Sequence, residues 1–93
     1  MKITVRFYGI AYDVTEVREW EINREEVNCV NNLLELLVES FPGLEDLVFD
    51  GEGSLREYLG VWVNGRDILG INGFNTKLHE GDLVYIVPPI GGG

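Results

Sequence analysis

Leu83-Val84-Tyr85-Ile86-Val87, closed by Pro88-Pro89 and followed by Ile90-Gly91-Gly92-Gly93, is the stretch on which the fold turns. It is apolar at all five positions and bounded upstream by the turn Glu80-Gly81-Asp82. That pattern predicts a central strand covered on both faces. Pro88 and Pro89 have no amide donors, so they end the strand and stiffen the exit from it.

Working outward, Tyr58 to Val63 reads as the preceding strand, with Val61 and Val63 inward and Trp62 outward. Asn64-Gly65 then marks a tight turn, because both residues tolerate positive φ. A short strand over Asp67 to Leu69 follows, and then a loop carrying Gly70, Asn72, Gly73 and Asn75. At the other end of the chain, Lys2 to Tyr8 alternates, with Ile3, Val5 and Phe7 opposite Thr4, Arg6 and Tyr8. Gly9 to Thr15 reads as a turn. Glu16 to Ile22 alternates again, placing Trp20 and Ile22 on one face, and so predicts an antiparallel hairpin with the first strand.

Between these strands lies one helical stripe: Val30, Leu33, Leu34, Leu37, Val38 and Phe41 recur at helical spacing, and Pro42-Gly43 stops the helix. Its start has two candidates. Asn23 with Glu26 would make a capping box, whereas Asn28 would start the helix later, closer to where the stripe becomes clean; the later start is preferred. Gly43 to Ser54 is polar and glycine-rich, with Leu44, Leu47, Val48 and Phe49 tacking it to the core. One amphipathic helix on one face of a mixed sheet of about five strands is the simplest burial of these stripes. The fold class is α+β of the β-grasp (ubiquitin-like) type, with the first and last strands parallel at the sheet centre. Residues 1–88 form the domain, and residues 89–93 a flexible glycine-rich tail.

Composition narrows the function classes. Sixteen acidic against seven basic residues give a net charge of −9, which repels phosphate backbones and anionic lipid headgroups; neither nucleic acid nor membrane is expected as a partner. A single cysteine excludes an internal disulfide and a four-thiolate metal centre, and no metal site is expected. No apolar run approaches the roughly 18–20 residues of a membrane span, and no leader opens the chain, so a cytoplasmic location is expected. In the tail, Ile90 is a lone apolar anchor. Gly91, Gly92 and Gly93 have no side chains and span at most about 10 Å. A stiff base with a thin tip suits threading a carboxylate into another protein's narrow active site; the plain alternative is a frayed terminus.

Leu78-x-x-Gly81-Asp82-x-Val84-x-x-x-Pro88-Pro89-x-x-Gly92-Gly93 resembles the ending of the small subunit of molybdopterin synthase, a MoaD-like member of the ubiquitin-like sulfur carriers. Val63-Asn64-Gly65-Arg66-Asp67, Val30-x-x-Leu33-Leu34-x-x-Leu37, Phe41-Pro42 and Ile3-x-Val5-x-Phe7 look like that family's third strand and turn, helix and first strand. Gly91 stands where many relatives carry another small residue. The resemblance implies that the Gly93 carboxylate is adenylated by a ubiquitin-activating-type adenylyltransferase, which uses ATP and Mg²⁺. A sulfurtransferase persulfide then converts it to a thiocarboxylate. The large synthase subunit would receive Pro88, Pro89, Ile90, Gly91 and Gly92 in its pocket and take sulfur from Gly93 for the dithiolene that holds molybdenum or tungsten. The catalytic acids and bases would belong to the partners, and this chain, a non-catalytic carrier subunit, would bind no cofactor itself.

Two other readings share the tail. A sulfur carrier for thiamine or tRNA thiolation is disfavoured by the segment Leu44 to Tyr58 and by Pro88-Pro89. A ubiquitin-like modifier joined through Gly93 to lysines needs the same activated diglycine. A plain interaction domain is the third option.

Strand parity adds a docking face. If Val84 and Ile86 face the helix, Tyr85 and Val87 face outward beside Trp62, with Arg6 and Tyr8 on the neighbouring strand; this aromatic patch reads as an interface or as a stabilising cross-strand pair. Cys29, at the helix start, reads as a small buried hydrophobe rather than as the partner of His79 in a nucleophilic pair. His79 reads as solvated, and the acid pairs Glu25-Glu26 and Glu45-Asp46 as solvated faces.

Overall fold

The computed structural model describes residues 2–54, 56 and 59–87. Strands β1 (Lys2–Phe7), β2 (Glu19–Asn23), β3 (Gly60–Val63), β4 (Arg66–Asp67) and β5 (Leu83–Val87) form one sheet in the order β2-β1-β5-β3-β4. β1 and β5 run parallel at its centre, and every other neighbouring pair is antiparallel. Among the described residues three α-helices lie between the strands: α1 (Ile10–Thr15), the main helix α2 (Val30–Ser40) and α3 (Glu45–Val48). This is the β-grasp architecture that the stripes predict.

The core is the seam between α2 and one sheet face. Ile3, Val5 and Phe7 of β1, Val61 and Val63 of β3, and Val84 and Ile86 of β5 are buried against Val30, Leu33, Leu34 and Leu37. Phe41, just past the helix, packs edge-on against both Phe7 (5.7 Å) and Trp20 (5.0 Å) and closes the β1–β2 end of that seam. Among the described residues no helix is long and apolar enough to cross a membrane.

Several local expectations are corrected. Gly9 to Thr15 is not a turn: Gly9, at φ +57°, redirects the chain and residues 10–15 form α1. Ala11 and Thr15, four apart, bury one side of that helix, and Glu16 ends it in the left-handed region at φ +59°. β2 therefore begins at Glu19 rather than Glu16.

The helix start is late, as preferred, but Cys29 is the cap residue and makes no side-chain cap bond. The Val30 N–H donates instead to the Thr76 carbonyl at 3.0 Å, so a distant loop satisfies the helix end. Leu44 and Val48 are buried as tacking residues, within a 3₁₀ turn (Pro42–Leu44) and α3 rather than a loop. Tyr58, the expected start of the third strand, lies outside the described residues. The short strand is Arg66–Asp67, one residue early, because the Asp67 carboxylate accepts the Leu69 N–H at 3.0 Å and winds Ile68–Gly70 into a 3₁₀ turn.

β5 is central but not covered on both faces. Val84 and Ile86 are buried beneath α2, while Leu83, Tyr85 and Val87 are only half-buried on the other side. The uncovered side of the sheet is where the candidate site lies.

Candidate functional site

The parity of β5 decides which side chains share that outer face. Tyr85 is paired in register with Arg6 on β1 and with Trp62 on β3, so the three stand in a row across the three central strands. Tyr8, one residue beyond β1, brings its ring edge-on to Tyr85 with centroids 5.4 Å apart, and its N–H donates to the Ile86 carbonyl at 3.1 Å. Trp62 and Tyr8 are 39% and 41% exposed, so both present apolar surface to a partner. Val87, half-buried, completes the patch at the end of β5. The five side chains that parity assigns to this face, Arg6, Tyr8, Trp62, Tyr85 and Val87, are thus gathered on it.

Arg6 is held at the edge of the patch by Glu19 of β2, with Nε 3.0 Å from Oε2. That carboxylate, and after it the Tyr8 hydroxyl, raise the Arg6 pKa above its ordinary value. Arg6, Phe7, Tyr8, Arg18 and Glu19 line a shallow depression beside the patch, and the Arg18 guanidinium lies over the Tyr12 ring at 4.6 Å. Two of the chain's seven cationic side chains therefore flank the end of β1, on a protein of net charge −9.

Sequence reasoning assigned no role to Gly60. A Cβ at this position would lie 2.5 Å from the Val87 carbonyl oxygen, so only glycine lets β3 approach the last residue of β5 this closely. An isolated glycine inside a strand pattern is the signal that marks it. Glu19, which orients Arg6, was legible only as a polar position.

The expected tail residues Pro88, Pro89, Ile90, Gly91, Gly92 and Gly93 lie outside the described residues. Cys29 and His79 do not pair as nucleophile and base. The Cys29 thiol donates to Asn32 Oδ1 at 3.2 Å, while His79 is exposed with Nδ1 3.9 Å from Asp82 Oδ2. Among the described residues, no three His, Cys, Asp or Glu side chains gather in a way that could hold a metal ion.

Comparison with known proteins places the chain. Residues 5–93 match the model of the ThiS family. Small archaeal modifier protein 3 from Haloferax volcanii is 26% identical over 95 residues, covering all of both chains. A putative sulfur carrier protein from Archaeoglobus fulgidus is 33% identical over 73 residues, spanning 78% of this chain and 82% of its own. The solved structure of a putative molybdopterin converting factor, subunit 1, from Pyrococcus furiosus superposes with a TM-score of 0.75 at 25% identity, covering 96% of this chain and 98% of that one. The family match covers nearly the whole chain, and the β-grasp sheet agrees with it: the protein belongs to the ThiS family, within the ubiquitin-like sulfur carriers and modifiers.

Proposed function

We propose that this chain carries sulfur on its C-terminal glycine and donates it in molybdopterin biosynthesis, as the small subunit of a molybdopterin synthase. The observation that carries the reading is the Tyr8–Tyr85–Trp62 patch centred on β5, next to Val87, from which residues 88–93 continue. A partner that grips this patch holds the root of the tail at the same time. Exposed Trp and Tyr supply docking energy at low side-chain entropy, and the acidic surface favours partners with basic docking surfaces.

The chemistry follows from the terminus. A carboxylate resists nucleophiles, so an adenylyltransferase with ATP and Mg²⁺ first converts the Gly93 carboxylate to an acyl adenylate, releasing pyrophosphate. The terminal sulfur of a sulfurtransferase persulfide displaces AMP to give an acyl disulfide. A thiol then reduces that disulfide and frees the thiocarboxylate. The softer sulfur attacks carbon of the acceptor in the large subunit's pocket, into which Pro88, Pro89 and Ile90 would guide the slim Gly91-Gly92-Gly93 tip. An oxygen leaving group departs from that carbon, and water then hydrolyses the thioester, leaving sulfur on the acceptor and returning the Gly93 carboxylate. The molybdopterin assignment is supported by the C-terminal motif and by the likeness to the Pyrococcus furiosus protein.

A second reading has its own support. The full-length likeness to a small archaeal modifier protein favours conjugation of Gly93 to lysines of other proteins. One experiment tests both. The protein is isolated from its own cells, alkylated with a thiol reagent, and its intact mass and fragments are measured. Alkylated sulfur replacing oxygen at Gly93 supports the carrier. Isopeptide bonds from Gly93 to other proteins' lysines support the modifier. If neither is found and the activating enzyme with ATP fails to adenylate Gly93, both readings fall.

A further inference from the structure

Two motifs remain without a function: Asn64-Gly65 and Gly81-Asp82, 17 residues apart in the chain. Their side chains meet. Asn64 Nδ2 donates to Asp82 Oδ1 at 2.9 Å, and the other carboxylate oxygen of Asp82 accepts the His79 N–H at 2.7 Å. Asn64 also grips the first residue of β5 twice: its N–H donates to the Leu83 carbonyl at 2.8 Å, and its Oδ1 accepts the Leu83 N–H at 3.0 Å. The second bond uses a side-chain oxygen to receive a strand amide. It is reachable because Asn64 sits at φ +52°, a conformation asparagine tolerates. Asp82 is nearly buried, and its backbone carbonyl accepts the Thr4 N–H at 3.0 Å from the other neighbouring strand.

These bonds matter because β5 cannot set its own register. Register in a sheet is specified by alternation of apolar and polar residues, and a one-residue slip exchanges the two faces. Leu83-Val84-Tyr85-Ile86-Val87 has no such alternation. A slipped strand would still bury three apolar side chains, and its parallel pairing with β1 has no tight turn to fix it.

We propose that Asn64 and Asp82 form a register lock for β5: a pair of positioning residues that decides which face of the strand carries Tyr85 and Val87 and where the chain leaves the sheet. The lock acts at the start of the strand, and its effect is felt at the patch on the outer face. The inference stands whether or not the proposed sulfur chemistry is correct, because its test needs no partner.

The donor–acceptor pattern makes a swap diagnostic. Asp82→Asn alone sets one NH₂ against another or leaves the backbone N–H of His79 or Leu83 without its acceptor, and Asn64→Asp alone sets two carboxylates against each other. In the double variant Asn64→Asp/Asp82→Asn the pattern closes again. The new carboxylate at 64 accepts both the Leu83 N–H and the NH₂ of residue 82, whose carbonyl keeps the His79 N–H. Amide hydrogen exchange and ¹H–¹⁵N spectra of the full chain are measured for all four proteins, with the Val63–Val84 cross-strand Hα contact as the register marker. Each single variant should show a second set of β5 resonances or exchange of the Val84 to Val87 amides faster by about tenfold or more, the scale of one lost charged hydrogen bond. The double variant should restore one set and the native protection. If a single variant does not fold, a folded double variant with the native contact carries the same support. Single variants with native spectra and exchange, or a double variant no better than the singles, would overturn the lock.

Discussion

Replacing Gly60 by alanine tests whether the close approach of β3 to the end of β5 is built into the fold. An added Cβ would sit 2.5 Å from the Val87 carbonyl oxygen and 3.4 Å from its Cβ. The obstacle is backbone, so no side-chain rotation relieves it. The two strands must part until the shorter distance nears the 3.4 Å of ordinary contact. Overpacking of this kind costs about 1–3 kcal/mol. Gly60 does not sit at positive φ, so the loss of unfolded-state freedom in alanine offsets about 0.4–1 kcal/mol of that. At the middle of these two ranges the net loss is about 1.3 kcal/mol, which lowers Tm by roughly 5–10 °C in a domain of this size. Gly70→Ala is the control, since nothing lies within 4 Å of a Cβ there and its φ is not positive; it should leave Tm unchanged or raise it. Thermal unfolding followed by circular dichroism reads both. A Gly60→Ala protein as stable as the Gly70→Ala control would refute the steric argument.

Trp62→Ala should cost at most about 1 kcal/mol of stability, the scale of one cross-strand pair, while weakening binding to the activating partner by tenfold or more in calorimetric titration. Loss of cooperative unfolding would make Trp62 a structural residue instead. Deleting Gly93 should leave Tm unaltered and abolish ATP-dependent adenylation; an undiminished rate of pyrophosphate release would contradict the tail chemistry. Asp50 accepts the N–H groups of Glu52 and Ser54, and these bonds hold its pKa below the ordinary 3.8. A depressed folded pKa gives stability that is present above the unfolded value and lost as pH falls through the folded one. Asp50→Asn should therefore be less stable than wild type in urea at pH 7, with the gap closing below pH 3.8; a gap that persists unchanged at low pH would assign it to another cause.

The stripes of β1 and α2 were legible because each is a single-period pattern with one buried face. Ile3, Val5 and Phe7, and Val30, Leu33, Leu34 and Leu37, went where their spacing put them. The Asn64-Gly65 turn was legible because its chemistry is local: both residues adopt positive φ, at +52° and +83°. α1 was missed for the opposite reason. Its six residues hold three β-branched ones, too short and too unfavourable for a periodicity to show, and it forms because Ala11 and Thr15 find cover in the core. The helix cap was misread because its N–H is satisfied by Thr76, which no window around residue 29 contains.

The tail motif, the acidic balance and the order of elements are properties of the chain read along its length, and the sequence by itself determined them. They point to a β-grasp carrier or modifier before any contact is known. Parity grouped the side chains of β5, but tertiary structure alone decided that the Tyr85 face is left uncovered, that Gly60 admits Val87, and that Asn64 and Asp82 meet. The physical reason is common to all three. An all-apolar strand encodes no face of its own, and a steric gap or a side-chain hydrogen bond between distant segments exists only once the sheet has brought them together.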